Sequence, residues 1–211
     1  MLGLRQRNRL AREALVLDAA AELFRRQGYE TTRIEEVADL AGVSAQTVYN
    51  YFANKPNILI ALAVRHVRTS IPERSAFVRD PPEDPVDAIK RFESLLADQA
   101  LRTLTRESWC AILAASMLDQ RSRARRMSLR FNGLIRRHYK IMLRPFQERG
   151  KIRRDIDIDA LAELLTAIGT HNFTRLVAED GMTLDELKAA VERQLAPVFV
   201  GVIPPEKDDA E

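Results

Sequence analysis

Apolar residues recur along most of this chain at spacings of three and four, the period of helices that bury one face. Leu15, Ala19, Leu23 and Phe24 predict a first helix over about 8–27, closed by Gly28 as a C-cap, with residues before it loose. Ile34, Val37, Ala38 and Ala41 supply the inner face of a short second helix. Thr32, with Glu35 three residues on, opens it as a capping box, and Gly42 stops it. Ser44 then caps a third helix that ends near Asn54. Its Val48 and Phe52, four apart, must turn inward, which leaves Gln46, Thr47, Asn50 and Tyr51 on the remaining surface.

A fourth helix begins at Lys55-Pro56 and runs on Ile58, Leu59, Leu62 and Val67 to about Ser70, or further past Pro72. The proline-rich stretch Asp80–Pro85 is a loop. Beyond it the pattern predicts helices over about 86–103, 105–118, 121–149 (kinked or shortened by Pro145), 157 or 159 to 179, and 183–200. Thr183 and Glu186 form a capping box for the last. The charged segment 204–211 reads as a disordered tail. The fold class is therefore all-α, with about nine helices: a three-helix head over 1–54 and an all-helical body over 55–203. Short helix, glycine-containing turn and short helix over about 33–52 have the geometry of a helix-turn-helix.

Composition agrees and adds limits. Only 8 Gly and 9 Pro interrupt 211 residues, which suits long helices. A net charge of +3 does not by itself announce a nucleic-acid partner, but its distribution is uneven. Arg5, Arg7, Arg9 and Arg12 precede the first carboxylate, Glu13, and form a basic arm. A second basic block, Arg121 to Arg154, contains only Glu148 as an acid and reads as a solvated helix face. The lone Cys110 excludes an intramolecular disulfide and a cysteine-rich metal site. No run of about 18 apolar residues occurs, so a cytoplasmic protein without a membrane partner is expected. His66, His138 and His171 are scattered, and neither a His-Glu-x-x-His motif nor a nucleotide-binding glycine loop is present. No enzymatic activity, cofactor or metal is expected.

The order of residues in the head goes further than its geometry. Ala41-Gly42-Val43-Ser44, then Thr47, Tyr49, Tyr51-Phe52 and Lys55, preceded by Gly28-Tyr29 and the threonines before the second helix, resemble the TetR family of bacterial transcriptional regulators over about residues 8–58. Arg33 stands where Thr is frequent in similar sequences and could bind a phosphate. The resemblance implies that the third helix lies in a major groove of operator DNA. Ala45, Gln46, Thr47, Asn50 and Tyr51 would then face bases, and Thr32, Ser44, Tyr49 and Lys55 would position the head on phosphates.

It also implies a homodimer through the last two long helices and a small-molecule effector bound among the middle helices. Candidate wall residues are Phe92, Trp109, Cys110, Met117, Phe131, Ile135, Tyr139, Met142 and Phe173, with Asn132, His138, His171 and Asn172 as polar anchors for a largely apolar ligand. The expected function is a repressor released from DNA by that ligand. A helical interaction protein, or a redox-sensing regulator using Cys110, is the other reading the residues leave open.

Overall fold

The computed structural model describes residues 3–203. Its helices are α1 (Leu4–Gln27), α2 (Ile34–Ala41), α3 (Ala45–Phe52), α4 (Lys55–Arg79), α5 (Pro85–Thr103), α6 (Arg106–Leu118), α7 (Arg123–Glu148), α8 (Ile158–Ala178) and α9 (Leu184–Val200). Among the described residues there is no strand. The chain divides into two compact units, one up to Thr69 and from Leu101 to Ser128, the other from Ser70 to Ala100 and from Leu129 onward. The first unit therefore contains most of α4, the end of α5, α6 and the start of α7 in addition to α1–α3. The expected tail, 204–211, lies outside the described residues.

Several boundaries differ from those the sequence predicts, each for a local reason. The first helix starts at Leu4, not near Asn8, so the arginine arm is helical, with Arg9 paired to Glu13 one turn later at 2.8 Å. Its inward stripe is Val16, Ala19, Ala20, Leu23 and Phe24, whereas Leu15 is 53 % exposed. One residue is a rotation of about 100° on a helix, enough to carry Leu15 off the buried face.

The capping box of α2 is also shifted by one residue. Glu36, not Glu35, accepts the Arg33 backbone N–H at 2.8 Å, and the Thr32 hydroxyl instead donates to the Gly28 carbonyl at 2.6 Å. Helix α3 stops at Phe52, because Ala53 takes a positive φ of 64°. Helix α4 continues through Pro72 to Arg79. Proline removes one helical hydrogen bond, at about 3 kcal/mol in an exposed helix interior, but beyond it Val78 is buried and Phe77 stacks on Phe92, and that apolar packing offsets the cost. Helix α5 begins at Pro85, with Asp84 Oδ1 accepting the Asp87 N–H at 2.7 Å. Helix α7 passes Pro145 and ends at Glu148, so that proline falls in the final turn.

Other signals fold as written. Thr183 and Glu186 form their reciprocal capping box at 2.8 and 3.1 Å, and Asp157 caps α8. In the second unit the core is built from inward positions of α5 (Ile89, Phe92), α7 (Tyr139, Met142, Phe146), α8 (Leu161, Leu165) and α9 (Leu187, Leu195).

Candidate nucleic-acid interface

The turn between α2 and α3 is set by Gly42. Its φ of 66° lies in the left-handed region, which lets the Gly42 N–H reach the Asp39 carbonyl and the Val43 N–H reach the Ala38 carbonyl at 3.0 Å. Ser44 then accepts the Thr47 N–H at 3.2 Å and starts α3. Val48 is fully buried and Phe52 nearly so. Burial of two such side chains contributes about 3–6 kcal/mol to holding an eight-residue helix that would not persist alone.

The opposite face of α3 is polar and open. Gln46 and Asn50 are exposed and bonded to each other, Gln46 Nε2 to Asn50 Oδ1 at 3.0 Å. That bond uses one of the two Gln46 N–H groups and leaves the Gln46 carbonyl and the Asn50 amide N–H groups for a further partner. Ala45 and Thr47 are half-buried beside them, with Thr47 Oγ1 2.9 Å from Ser44 Oγ. Tyr49 is exposed. Tyr51 is half-buried, and the Arg9 guanidinium lies over its ring, 5.6 Å from the centroid, which joins the helical arm to α3.

Thr32 and Lys55 occupy inner positions. Thr32 is 2 % exposed. The Lys55 ammonium donates to the carbonyls of Tyr29, Glu30 and Thr32 at 2.8, 2.9 and 3.1 Å and sits 4.6 Å from the centroid of the Tyr29 ring. All three of its protons are committed to the turn that leads into α2. From the other side, Glu107 of α6 accepts the backbone N–H groups of Tyr29 and Glu30 at 2.9 and 3.0 Å. The turn is thus clamped between a cation and an anion. Arg33, just after it, is exposed and 3.6 Å from Glu35.

Glu107 carries no mark in the sequence that would have singled it out. An exposed Glu in the first turn of a helix is common, and only the approach of α6 to residues 29–30 gives it a role.

The residues expected to line an effector site are divided between the two units. Trp109 lies in the first unit, its ring edge-on to His66 at 5.4 Å, and Met117 is 78 % exposed there. Cys110 is half-buried, and burial raises its thiol pKa, which opposes the thiolate that redox chemistry requires. In the second unit Phe92 stacks on Phe77 and meets the rings of His138 and Tyr139 edge-on at 5.9 and 5.3 Å. Phe131, half-buried, lies under the Arg74 guanidinium, and Ile135 is buried nearby in sequence on α7. Asn132 is half-buried and His171 exposed, while Asn172 is buried and bonded to Gln194 at 2.7 Å.

The core of this second unit includes charged and titratable side chains. Arg74 is fully buried and bonds Gln99 through Nε at 2.7 Å; burial draws its pKa down to about 10. Glu93 accepts the Tyr139 hydroxyl, and burial pushes its carboxyl up to about 7. His138 is 4 % exposed, its Nδ1 has no hydrogen-bond partner, and burial together with Arg74 and Arg137 draws its pKa down to about 4. The backbone of α8 comes so close at Gly169 that a Cβ there would lie 2.8 Å from Glu93 Oε2. Glu93 was legible in principle, since it falls in the inward stripe of α5 with Ile89, Phe92 and Ala97.

Residues 16–62 match the family model of bacterial regulatory proteins, tetR family. The head is a TetR-family head. The chain is 40 % identical over 68 residues to the transcriptional activator FasR of Mycolicibacterium smegmatis, covering 31 % of each chain. It is 28 % identical over 111 residues to the transcriptional repressor NicS of Pseudomonas putida, covering 53 % of this chain and 50 % of that one. These matches span a third to a half of the relatives' length. The TetR-type fold itself extends over the body: the structure of Thermus thermophilus FadR, a TetR family repressor in complex with lauroyl-CoA, superposes with a TM-score of 0.68 over 94 % of this chain and 99 % of that one, at 22 % identity. Among the described residues no helix is long and apolar enough to cross a membrane.

Proposed function

We propose that the protein is a DNA-binding transcriptional regulator, a homodimeric repressor acting in the cytoplasm and released from its operator by a small molecule. The observation that carries this reading is α3, which buries Val48 and Phe52 and presents Gln46 and Asn50 outward next to a clamped turn. In this reading Ala45, Gln46, Thr47, Asn50 and Tyr51 meet base edges; Arg33, Ser44 and Tyr49 meet phosphates. Thr32 and Lys55 act from within, by fixing where α2 begins.

One head of this size reads few base pairs, so two are needed on a pseudo-palindromic site. The dimer is assigned to α8 and α9, where Leu164 and Val200 are apolar and exposed. The effector is assigned to the second unit, near Phe92, Phe131, His138 and Tyr139. A neutral buried imidazole with an unsatisfied nitrogen is a costly feature in a core and a ready anchor for one polar group of an otherwise apolar ligand. That the FadR neighbour was solved with lauroyl-CoA, whose acyl chain is apolar, supports an effector with an apolar portion.

A gel shift against DNA flanking the protein's own gene tests the DNA reading. Retardation at low salt is expected, with the preference for this DNA over random-sequence competitor lost in Gln46→Ala with Asn50→Ala, and no retardation would sink the proposal. The ligand arm is tested by thermal shift across a metabolite panel. A true effector must both stabilise the protein and weaken operator binding, because the coupling is reciprocal.

A further inference from the structure

The arginines leading into α7 carry charge that has no part in the α3 face. Arg121, Arg123 and Arg126 are exposed and Arg125 is half-buried, all within six residues. Asp119 is the one acid beside them in sequence, and its Oδ1 accepts the Arg121 backbone N–H at 2.8 Å. Among the described residues none of the four guanidinium groups enters an ion pair. Two donate to neutral oxygens instead: Arg126 to the Arg121 carbonyl, and Arg123 Nη1 to Asn57 Oδ1 at 3.5 Å.

The approach of Arg123 to Asn57 shows which part of the head this charge lies beside. Asn57 is in the first turn of α4, its N–H capped by Asn54 at 2.9 Å, two residues after Lys55. Lys55 in turn holds the carbonyls that immediately precede Arg33 and α2. At the other end of the same segment, Glu107 of α6 is bonded to residues 29 and 30. The start of α7 thus lies beside the first turn of α4, inside a single compact unit.

Four like charges in six residues repel one another, and a polyanion relieves that repulsion. Duplex DNA presents one charge per roughly 1.7 Å of axis, so a cluster of this kind matches its backbone and carries no base preference. We propose that Arg121, Arg123, Arg125 and Arg126 form a second phosphate-binding surface, gripping the DNA backbone outside the segment read by α3. This rests on the DNA-binding reading above, and its test separates the two.

The full-length protein is titrated by fluorescence anisotropy against a labelled random-sequence duplex of about 40 base pairs, between about 50 and 300 mM KCl. Wild type is compared with Arg123→Gln/Arg125→Gln/Arg126→Gln and with the matching triple Lys variant, circular dichroism showing that each is folded. Each lost phosphate contact removes about 0.9 from the slope of log affinity against log salt, so the Gln variant is expected to lose about 2–3 units while the Lys variant keeps the wild-type slope. Wild-type binding with an unchanged slope in the Gln variant overturns the second surface and leaves α3 as the DNA reader. Equal loss in the Gln and Lys variants also overturns it, since charge would not be the cause. No wild-type binding at the lowest salt overturns both readings together.

Discussion

Replacing Lys55 with methionine separates two roles for a residue whose position just after α3 suggests a phosphate contact and whose geometry suggests a staple. Met keeps an unbranched stem over the Tyr29 ring and removes the ammonium, together with its three hydrogen bonds to the 29–32 turn and its cation–π contact. A hydrogen bond to a charged group is worth about 1.5–3 kcal/mol, but three carbonyls share one cation here and the Glu30 carbonyl faces solvent, so they do not add in full. The expected loss is about 2–4 kcal/mol, a large part of a typical domain's stability of about 5–15. Urea unfolding followed by circular dichroism should show a lower midpoint. Anisotropy on duplex DNA should show weaker binding at every salt concentration with the slope unchanged, because a misplaced α2 lowers affinity without removing a phosphate contact. An unchanged midpoint combined with a slope smaller by about 0.9 would refute the staple and return Lys55 to the DNA backbone.

Burial holds the Glu93 carboxyl protonated to about pH 7 in the folded chain, against 4.5 for the free group, so between those values the folded state binds more protons and stability falls as pH rises. Across that window the fall amounts to about 3 kcal/mol, and Glu93→Gln should lose it in urea midpoints compared at the two ends; a profile parallel to wild type would exclude it. His138 acts with the opposite sign, contributing stability that is lost as pH falls from 6.5 toward 4, so the Gln variant should show a net rise with pH over that range. Gly169→Ala should destabilise by about 1–3 kcal/mol by driving the Glu93 carboxyl off Tyr139, and Glu93→Ala should largely remove that cost in a double-mutant cycle; additive effects would disprove the contact. Gln46→Ala or Asn50→Ala should change which operator is preferred by about 1–3 kcal/mol per affected base pair in competition binding, with little change in random-sequence affinity; equal weakening on all DNA would mean these side chains do not read bases.

Much of the head is legible in the amino-acid sequence, because its information is local. Gly42 needs a positive φ, Ser44 must cap, and Val48 and Phe52 lie one turn apart, so the helix-turn-helix and its outward face follow from short-range rules. The same holds for the cap at Thr183, while the choice of Asp157 over Asp159 for α8 is made only in the structure. The limits of local reasoning appear where two choices differ by one residue, as at Thr32 and Arg33, or where the sequence leaves a helix end open, as at Pro72, and packing beyond it decides.

Pattern along the chain is enough to give it an all-helical fold and to place the turn and second helix of its helix-turn-helix in residues 42–55. Only tertiary packing selects which polar residues serve as clamps and which remain open for a partner. Lys55 and Glu107 lie 52 residues apart and meet only at the 29–32 turn, and Glu93 and Gly169 meet only because α5 and α8 pack closely. Periodicity specifies which face of a helix turns inward, whereas a charge's partner depends on what another helix brings to that face, and no pattern along a single helix encodes it.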